Sequence, residues 1–274
     1  MKDLILGSFS GYSYNIIEPW VRSIRKTDFD GDVVVIVGNT DSITIQKLIF
    51  NDIKIVFMAD ILKKCEVTNL SNIPIHSERF FFFYEFLKQH KHDYRYAIVT
   101  DMKDVIFQSN PSRWLSYNKI NDIVISTEGL LYKDEPWGNQ NLQDVCPYYY
   151  NDFKDKIIYN VGVIAGNLNA LSDLYLNIYK PSGFVEQAYF NVYIHTYPIK
   201  DYIQFCQLAS GFCCNLGTLM DPNKMELFRP LLLEKEPIFK DGLFKTHDEI
   251  PFVIAHQWER CDSNIVDAVR KLYT

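Results

Sequence analysis

The sequence lacks several of the patterns that identify common classes of protein. It has no GxGxxG loop and no GKS or GKT, so it carries neither a dinucleotide fingerprint nor a P-loop. None of its apolar runs approaches the length that spans a bilayer. Its lysines are scattered rather than clustered, and its formal net charge is −6. These absences argue against a nucleic-acid surface, which needs clustered cations, and against a polybasic membrane anchor.

Cysteine pairs with metal-ligand spacing are also missing. The six cysteines include no CxxC, and the adjacent Cys213 and Cys214 are poorly placed to bridge to each other. We expect free thiols in a reducing compartment, with a zinc site that uses cysteines and His247 or His256 as the weaker alternative. The segment MKDLILGSFSGY has only three consecutive apolar residues, too few for a signal-peptide core. We therefore expect a cytoplasmic protein with no transmembrane segment and at most peripheral contact with a membrane.

Strand and helix patterns alternate along the chain. Apolar, β-branched runs at residues 4–6, 33–37 and 53–57 predict strands, and residues 42–50 have the pattern of an intervening helix. This alternation is typical of an α/β fold with a mostly parallel central sheet and helices on both faces. The 274 residues contain no internal repeat, low-complexity segment or linker, so we predict a single domain over 1–274.

Two aspartates stand where a predicted buried strand ends. Residues 96–107 read YAIVTDMKDVIF, in which the first apolar run stops before Asp101 and a second begins after Asp104. Ligands of open α/β sheets bind at the carboxyl edge of the strands, and carboxylate oxygens suit Mg²⁺ or Mn²⁺. Both aspartates are therefore candidate metal ligands. The alternative is an ordinary surface turn in which Asp104 pairs with Lys103 or Arg113.

Two other places in the first half have side chains suited to a nucleotide. The loop 7–11 follows the first strand and is rich in small residues, which lets a base approach, and Tyr12 follows it as a stacking platform. A tight turn with surface tyrosines is the alternative. Arg79 opens the helix that feeds the central strand, where its guanidinium could reach a phosphate or a ribose. A surface salt bridge with Glu78 or Glu85 is the competing interpretation.

The second half supplies further candidates. Segment 131–156 is polar and aromatic and is predicted to be irregular, and long loops in compact domains are usually functional. We place the acceptor side of a site here, near Trp137, whose alternative role is to fill the core. Gly162 lies within a predicted strand at 157–167, where a glycine indicates close approach of a ligand or another backbone. His256 follows a short predicted strand and should emerge at the same ligand-binding edge.

Four of these motifs, in this order, resemble those of the GT-A glycosyltransferases. TDMKDVIF looks like the aspartate motif of that family with one extra residue between the carboxylates, and YNVGVIAGN resembles its Asn-x-Gly strand. EQAYFN is similar to the Asp/Glu-Gln helix start, and FVIAHQWER to the late histidine element that completes some of the metal sites. The resemblance implies a Rossmann-like GT-A fold. It also implies transfer of a sugar from a nucleotide-sugar donor to a hydroxyl of a glycan or glycolipid acceptor, assisted by Mn²⁺ or Mg²⁺.

The resemblance also implies roles for individual residues. The nucleotide would bind in about residues 1–127 and the acceptor in about 128–274. A general base for an inverting enzyme would be Glu186 or Asp144. A retaining enzyme would instead keep Gln187 or Asn160 beneath the anomeric carbon. The implied metal ligands are Asp101, Asp104 and His256. The implied donor-binding residues are Ser8, Phe9, Ser10, Tyr12, Arg79, Thr100, Asp101 and Gly162.

Two other classes of protein are compatible with the same motifs. A phosphohydrolase would use Asp101 as a nucleophile, although such enzymes carry a second aspartate two residues later, where this sequence has Lys103. A module that binds nucleotide sugars without catalysis would hold the donor and never turn it over.

Overall fold

The computed structural model describes residues 1–65, 75–179 and 186–274, and of residues 75–77 and 186 it describes the backbone alone. The strands are β1 Lys2–Phe9, β2 Asp32–Val37, β3 Lys54–Phe57, β4 Tyr94–Thr100, β5 Val105–Phe107, β6 Ile123–Leu131, β7 Ile157–Gly166, β8 Ile203–Cys206, β9 Cys213–Asn215, β10 Ile238–Lys240, β11 Leu243–Lys245 and β12 Ile254–His256. The helices are α1 Tyr14–Arg25, α2 Ser42–Phe50, α3 Met58–Lys64, α4 Ile75–Gln89, α5 Pro111–Asn118, α6 Pro136–Val145, α7 Tyr150–Phe153, α8 Leu168–Tyr179, α9 Glu186–Thr196, α10 Leu216–Leu219, α11 Met225–Phe228 and α12 Ser263–Tyr273.

Seven of the described strands form the central sheet, in the order β3-β2-β1-β4-β7-β6-β8. β1 runs parallel to β2 and β4, β2 to β3, and β6 to β8, whereas β7 runs antiparallel to both of its neighbours. The sheet is therefore mostly parallel, as the alternating pattern predicts. Gly7 near the end of β1 pairs with Thr100 at the end of β4, so the loop after β1 and the first aspartate leave the sheet at the same edge.

Helices cover both faces of the sheet because successive side chains of a strand point to opposite sides. Leu4 and Leu6 of β1 belong to a core that includes side chains of α4 and α8. Ile5, between them, belongs to a second core with Ile17 and Trp20 of α1. The inner strands are apolar at nearly every position, as expected of strands that are buried on both faces.

A small three-stranded sheet brings the end of the chain back to the aspartates. β12 lies at its centre, antiparallel to β5 and parallel to β9. In this register His256 pairs with Val105 on one side and with Asn215 on the other. Because β5 begins directly after Asp104, the pairing places His256 next to the aspartate turn.

Segment 131–156 is largely helical, so the prediction that it is irregular is wrong. It contains α6 and α7, with short 3-10 turns around them. Pro136 occupies the first turn of α6, and the carboxylate of Glu135 caps the helix by accepting a hydrogen bond from the N–H of Gly138 (2.5 Å). Leu142 packs into a satellite core. Few positions of α6 face that core, which is why its apolar periodicity is weak in the sequence.

The remaining expectations about the chain concern its thiols and its membrane contacts. All six cysteines are free, and all except the half-buried Cys65 are buried, as expected of unbridged thiols. In the described part of the chain, no cysteine belongs to a group of three or more potential metal ligands. No described helix has the length and apolarity needed to cross a bilayer. The mixed composition of residues 59–75 predicts a loop with a short helix. The helix α3 covers the first part of this segment, and residues 66–74 lie outside the described residues.

Candidate active site

Three potential metal ligands meet at the carboxyl edge of β4. Asp101 follows β4, Asp104 precedes β5 and His256 ends β12, and one ligand atom from each lies within 4.8 Å of the others. Nε2 of His256 is 3.8 Å from Oδ2 of Asp101 and 3.6 Å from Oδ1 of Asp104. Among the described residues this is the one cluster of its kind. Two carboxylates suit Mg²⁺ or Mn²⁺, and the added imidazole favours Mn²⁺.

Backbone hydrogen bonds hold the aspartate turn at both ends. The N–H of Asp101 donates to the carbonyl of Gly162 in β7 (2.8 Å), and the carbonyl of Asp104 accepts from the N–H of Gln257 (2.7 Å). Gln257 has a left-handed backbone, with φ of 61°, a strained conformation for a residue other than glycine that is common at functional sites. Its side chain accepts a hydrogen bond from the N–H of Gly217 (3.1 Å). The two carboxylates and the imidazole are thus fixed relative to one another through the main chain.

Gly162 leaves the space in which the cluster forms. A Cβ at this position would lie 2.5 Å from Cε1 of His256, and 2.9 Å from both Nε2 of that ring and Oδ2 of Asp101. A Cβ atom essentially never lies this close to a non-bonded heavy atom, so the cluster in its present form requires glycine here. A glycine within a strand predicts close approach of a ligand or another backbone. At Gly162 the groups that approach are the side chains of His256 and Asp101.

Arg79 reaches the cluster from α4. Its guanidinium forms an ion pair with Asp101, and both side chains are largely shielded from solvent. Among the ion pairs of the described residues, Arg79 is paired with neither Glu78 nor Glu85, so the surface salt bridges inferred from spacing do not form there. A guanidinium presents several N–H donors in a planar fork, which matches the oxygens of a phosphate.

The end of β1 and the loop after it form the adjoining part of this edge. Residues 7–9, predicted to belong to the loop, are the last residues of β1. Phe9 is buried, and its ring stacks on that of Tyr12 with 6.2 Å between centroids and an interplanar angle of 2°. The hydroxyl of Ser10 accepts a hydrogen bond from the N–H of Asn39 (3.0 Å). Ser8, Ser10 and Tyr12 are half-buried. Phe9 therefore packs against one face of the half-buried Tyr12 ring, an arrangement that suits stacking on a planar ligand.

Thr100 differs from the other predicted donor-binding residues. Its side chain is buried, and its hydroxyl accepts a hydrogen bond from Nε1 of Trp20 in the core (2.8 Å). This contact ties the end of β4 to α1. Only the backbone of Thr100 is left to face a ligand at the sheet edge.

A polar cavity of about 320 Å³ lies next to the cluster. Gln257, the residue after His256, lines the cavity, and so does Trp137, which is 55% exposed. Its volume lies within the range of small-ligand pockets. The other lining residues offer carboxyl, amide, hydroxyl and cationic groups, and they are Glu128, Glu135, Gln187, Thr218, Lys224 and Arg260.

A buried hydrogen-bond network joins this cavity to the cluster. Oε1 of Glu128 accepts hydrogen bonds from the side-chain amides of Asn160 (2.7 Å) and Gln187 (3.0 Å). Oδ1 of Asn160 in turn accepts from the N–H of Gly162 (2.6 Å). Burial raises the pKa of the Glu128 carboxyl above its ordinary value, although the two amide donors favour its charged form. The polar groups of the cavity and the glycine of the cluster therefore belong to one connected unit.

Glu128 is the main residue of this site that sequence reasoning missed. It follows the buried run 123–127 of β6, just as Asp101 follows the buried run of β4. An acidic residue directly after an apolar run is the signal that could have found it, although β6 continues to Leu131 and Glu128 therefore lies inside the strand. Lys224 and Arg260 carried no comparable signal, because neither stands at the end of a strongly apolar strand.

The structure brings some of the predicted catalytic side chains to the cavity and leaves others away from it. Asn160 and Gln187 are in the network with Glu128. Asp144 is exposed on α6, where its carboxylate accepts a hydrogen bond from Gln140 (2.8 Å), and it does not line the cavity. Glu186 begins α9, and its side chain lies outside the described residues.

Comparisons with known proteins identify the fold. No family model and no curated protein sequence matches the chain. The bifunctional glycosyltransferase WbbM is 13% identical with a TM-score of 0.59, over 98% of this chain and 49% of WbbM. The galactosyltransferase LgtC, solved with donor and acceptor sugar analogs, is 13% identical with a TM-score of 0.57, over 99% of this chain and 96% of LgtC. Apo GlyE from Streptococcus pneumoniae TIGR4 is 11% identical with a TM-score of 0.53, over 94% of this chain and 54% of GlyE.

These similarities show that the chain has the GT-A fold of nucleotide-sugar-dependent glycosyltransferases, as the order of its motifs predicts. The chain spans about half the length of WbbM and of GlyE, and nearly the whole of LgtC.

Proposed function

We propose that this chain is a glycosyltransferase that moves a sugar from a nucleotide-sugar donor to a hydroxyl of a glycan acceptor with the help of a divalent cation. The observation that carries the proposal is the meeting of Asp101, Asp104 and His256 at the carboxyl edge of β4, beside a polar cavity. Open α/β sheets bind nucleotides at this edge. The fold supports the proposal, as does LgtC, which was solved with donor and acceptor sugar analogs.

In this proposal Asp101, Asp104 and His256 would hold the cation, and the donor diphosphate would bind beside it. A bound Mn²⁺ or Mg²⁺ neutralises and positions a diphosphate as it leaves the sugar. Arg79, which is paired with Asp101, would present its N–H donors to the same phosphates. The base would stack on Tyr12, with Ser8, Ser10 and the backbone of Thr100 along the same edge.

The sugar of the donor would occupy the cavity. Gln187 lines the cavity and shares Glu128 with Asn160 as a hydrogen-bond partner, so we assign both amides to the reacting sugar. Asp144 is exposed and does not line the cavity, so we do not assign it the role of general base. Trp137 combines a large apolar surface with partial exposure, and we assign it to the acceptor.

The proposal includes a setting for the reaction. We propose that residues 1–274 act as one unit, with the nucleotide held mainly by the first half and the acceptor by the second. The proposal also includes a glycan or glycolipid acceptor, a cytoplasmic location and at most peripheral contact with a membrane. A role in polysaccharide biosynthesis belongs to the same proposal.

A phosphohydrolase is less well supported by the geometry. The position that carries the second aspartate in such enzymes is Lys103, whose ammonium lies 3.6 Å from the carboxylate of Glu259. Asp101, the nucleophile that such an enzyme would need, is already paired with Arg79. Release of inorganic phosphate from a phosphate ester would favour this class, whereas release of a nucleoside diphosphate and free sugar would favour a transferase.

A nucleoside diphosphate is expected to raise the melting temperature of the protein, and Mn²⁺ is expected to enlarge this shift. A ligand at about 100 times its dissociation constant adds roughly 2.7 kcal/mol to the free energy of unfolding, which a thermal-shift assay detects. UDP-, GDP-, CMP- and dTDP-sugars would be compared with and without Mn²⁺, and in excess chelator. The largest metal-dependent shift identifies the donor.

The Asp101→Asn, Asp104→Asn double variant is the control for this panel. It keeps the size of both side chains and removes their charge, so the metal-dependent part of the shift should disappear. An equal shift in excess chelator would show that donor binding does not need the cation. Donor binding without turnover, in the presence of a range of acceptors, would instead support a non-catalytic binding module.

Replacing Trp137 with alanine is expected to reduce transfer to the acceptor more than it reduces slow hydrolysis of the donor by water. Loss of an aromatic platform is worth about 1–1.5 kcal/mol, or roughly a fivefold to tenfold decrease in transfer. Both rates can be followed in one reaction by separating free sugar from glycosylated acceptor. Tyr117→Ala is a matched control, because Tyr117 is 88% exposed on α5 and does not line the cavity. An equal fall of both rates in Trp137→Ala would place this residue in the donor pocket.

A further inference from the structure

The imidazole of His256 has a buried polar neighbour on the side away from the aspartates. Asn215 lies beside it in the parallel pair β9–β12, and the two residues are only 1% and 2% exposed. Oδ1 of Asn215 is 2.9 Å from Nδ1 of His256. Because both groups are buried, solvent water does not compete for this contact.

The direction of this hydrogen bond follows from the other end of the amide. Nδ2 of Asn215 donates to the carbonyl of Thr127 (2.8 Å) and lies 3.4 Å from the carbonyl of Ser126. Carbonyl oxygens only accept, so the amide nitrogen must face them, and a flipped amide would set its oxygen against two other oxygens. Oδ1 therefore faces His256 and accepts a hydrogen bond from the N–H at Nδ1.

A proton on Nδ1 has a direct consequence for Nε2. In the neutral imidazole one nitrogen carries the proton and the other has a free lone pair, so Nε2 is left as the ligand atom. The carboxylates of Asp101 and Asp104 act in the opposite direction. They lie 3.8 Å and 3.6 Å from Nε2, and without a cation between them they attract a proton to that nitrogen. The hydrogen bond to Asn215 works against this attraction.

We propose that Asn215 is a positioning residue that holds His256 in the tautomer with its proton on Nδ1, so that Nε2 is ready to bind the divalent cation. This inference rests on the metal role of His256 in the proposed function. Asn215 also bonds to the carbonyl of Thr127, the residue before Glu128. The buried amide of Asn215 thus contacts both the imidazole of His256 and β6, the strand that contains Glu128.

The tautomer can be measured directly by nuclear magnetic resonance. Long-range ¹H–¹⁵N correlation spectra of histidine-labelled protein, recorded without metal where the imidazole is neutral, distinguish protonated from unprotonated ring nitrogens. His256→Gln assigns the resonances among the six histidines. The wild type is expected to carry its proton on Nδ1. Asn215→Leu, which removes the acceptor at similar volume, is expected to carry it on Nε2.

Binding of Mn²⁺ alone provides the second measurement. Loss of an outer partner of a metal-bound histidine typically costs 10–100-fold in metal affinity, so Asn215→Leu should raise the Mn²⁺ dissociation constant by roughly tenfold or more. Paramagnetic resonance of free Mn²⁺ reports this constant without any assay of sugar transfer. Asn215→Asp keeps an acceptor beside Nδ1 and should restore both the tautomer and most of the affinity, although it loses the hydrogen bond to Thr127.

Asn110→Leu is the matched control for loss of a buried amide. Asn110 is 7% exposed, donates to the carbonyl of Asp28 and accepts from the N–H of Ser112. Its replacement should lower stability and leave the His256 tautomer and the Mn²⁺ affinity unchanged.

Several outcomes would overturn the proposal. A wild-type proton on Nε2 would do so, as would a folded Asn215→Leu variant with the wild-type tautomer and Mn²⁺ affinity. If Asn215→Leu does not fold, the wild-type tautomer and the Asn215→Asp variant decide the question. A protein that shows the expected tautomer and binds Mn²⁺, yet transfers no sugar, would contradict the proposed function and leave the role of Asn215 intact.

Discussion

Replacing Gly162 with alanine is expected to weaken cation binding strongly in an otherwise folded protein. The added methyl group would lie 2.5 Å from Cε1 of His256 and 2.9 Å from Oδ2 of Asp101, so it occupies the space between the ligand side chains. Overpacking of this kind costs about 1–3 kcal/mol of stability. The effect on the site should be larger, because two of its three ligands must move. We expect the Mn²⁺ dissociation constant to rise by about 100-fold, the upper end of the range for disturbed metal surroundings.

The matched control is Gly138→Ala, which adds the same methyl group elsewhere. Its Cβ would lie 3.1 Å from a carboxylate oxygen of Glu135 and 3.3 Å from Ile158, and the carboxylate belongs to a flexible side chain. Within α6 alanine is favoured over glycine by about 1 kcal/mol, so this variant should be as stable as the wild type or slightly more stable. Its Mn²⁺ affinity should not change. A folded Gly162→Ala protein that binds Mn²⁺ normally would show that the three side chains do not share one cation.

Much of the fold could be predicted from the sequence because its signals are local. The helix at 42–50 was predicted with the bounds that α2 has, and Asp41 caps it by accepting a hydrogen bond from the N–H of Thr44. The inner strands were recognisable because strands buried on both faces are apolar at consecutive positions. Among the described strands of the central sheet, β7 alone departs from the parallel pattern, and sequence periodicity does not reveal strand direction.

The position of the candidate site could be predicted for a related reason. Asp101 follows β4 of the central sheet, and ligands of such sheets bind at the carboxyl edge of the strands. His256 ends β12 of the small sheet and reaches the same edge through the pairing of β12 with β5. The structure brings them together with Asp104, and their role as metal ligands remains our proposal. For Asp101 the rule needs only the strand boundary, whereas the position of His256 depends on the long-range pairing of the small sheet.

The parts of the site that could not be predicted depend on contacts between distant segments. Asn215 reaches His256 through the three-residue strands β9 and β12, which are too short to show a periodic pattern. Gln257 has a left-handed backbone fixed by Asp104 and Gly217, and neither partner is its neighbour in sequence. Such positions become visible only once the pairing of the small sheet is known.

Replacing Glu128 with leucine is expected to destabilise the protein strongly. Its carboxyl accepts hydrogen bonds from the buried amides of Asn160 and Gln187, and leucine would leave both donors without this acceptor. Each unsatisfied buried donor costs roughly 1–3 kcal/mol, so the free energy of unfolding should fall by several kcal/mol. Glu128→Gln keeps an acceptor oxygen at the same place and should lose much less. Urea unfolding of the three proteins at one pH measures both differences.

The stability of Glu128→Gln relative to the wild type should also depend on pH, with a defined sign. Burial raises the pKa of this carboxyl in the folded protein above its ordinary value of 4.5, so between these two pKa values the folded state binds more protons than the unfolded state. The stability of the wild type therefore falls as pH rises from about 4.5 through the folded-state pKa. Glutamine does not titrate, so the stability of the variant relative to the wild type should increase as pH rises from about 4.5 through the folded-state pKa of Glu128.

Glu249→Gln supplies a control with the opposite sign. Glu249 is exposed, and a hydrogen bond from Lys240 lowers the pKa of its carboxyl, so its contribution is present above the ordinary pKa and is lost as pH falls. The stability of this variant relative to the wild type should therefore decrease as pH rises. The decrease should be small because the ion pair is exposed. If the relative stability of Glu128→Gln instead decreased with rising pH, as expected for Glu249→Gln, the two amides would be stabilising the carboxyl of Glu128 in its charged form. The acceptor of the network would then be a carboxylate throughout the neutral range, with burial the lesser influence on its pKa.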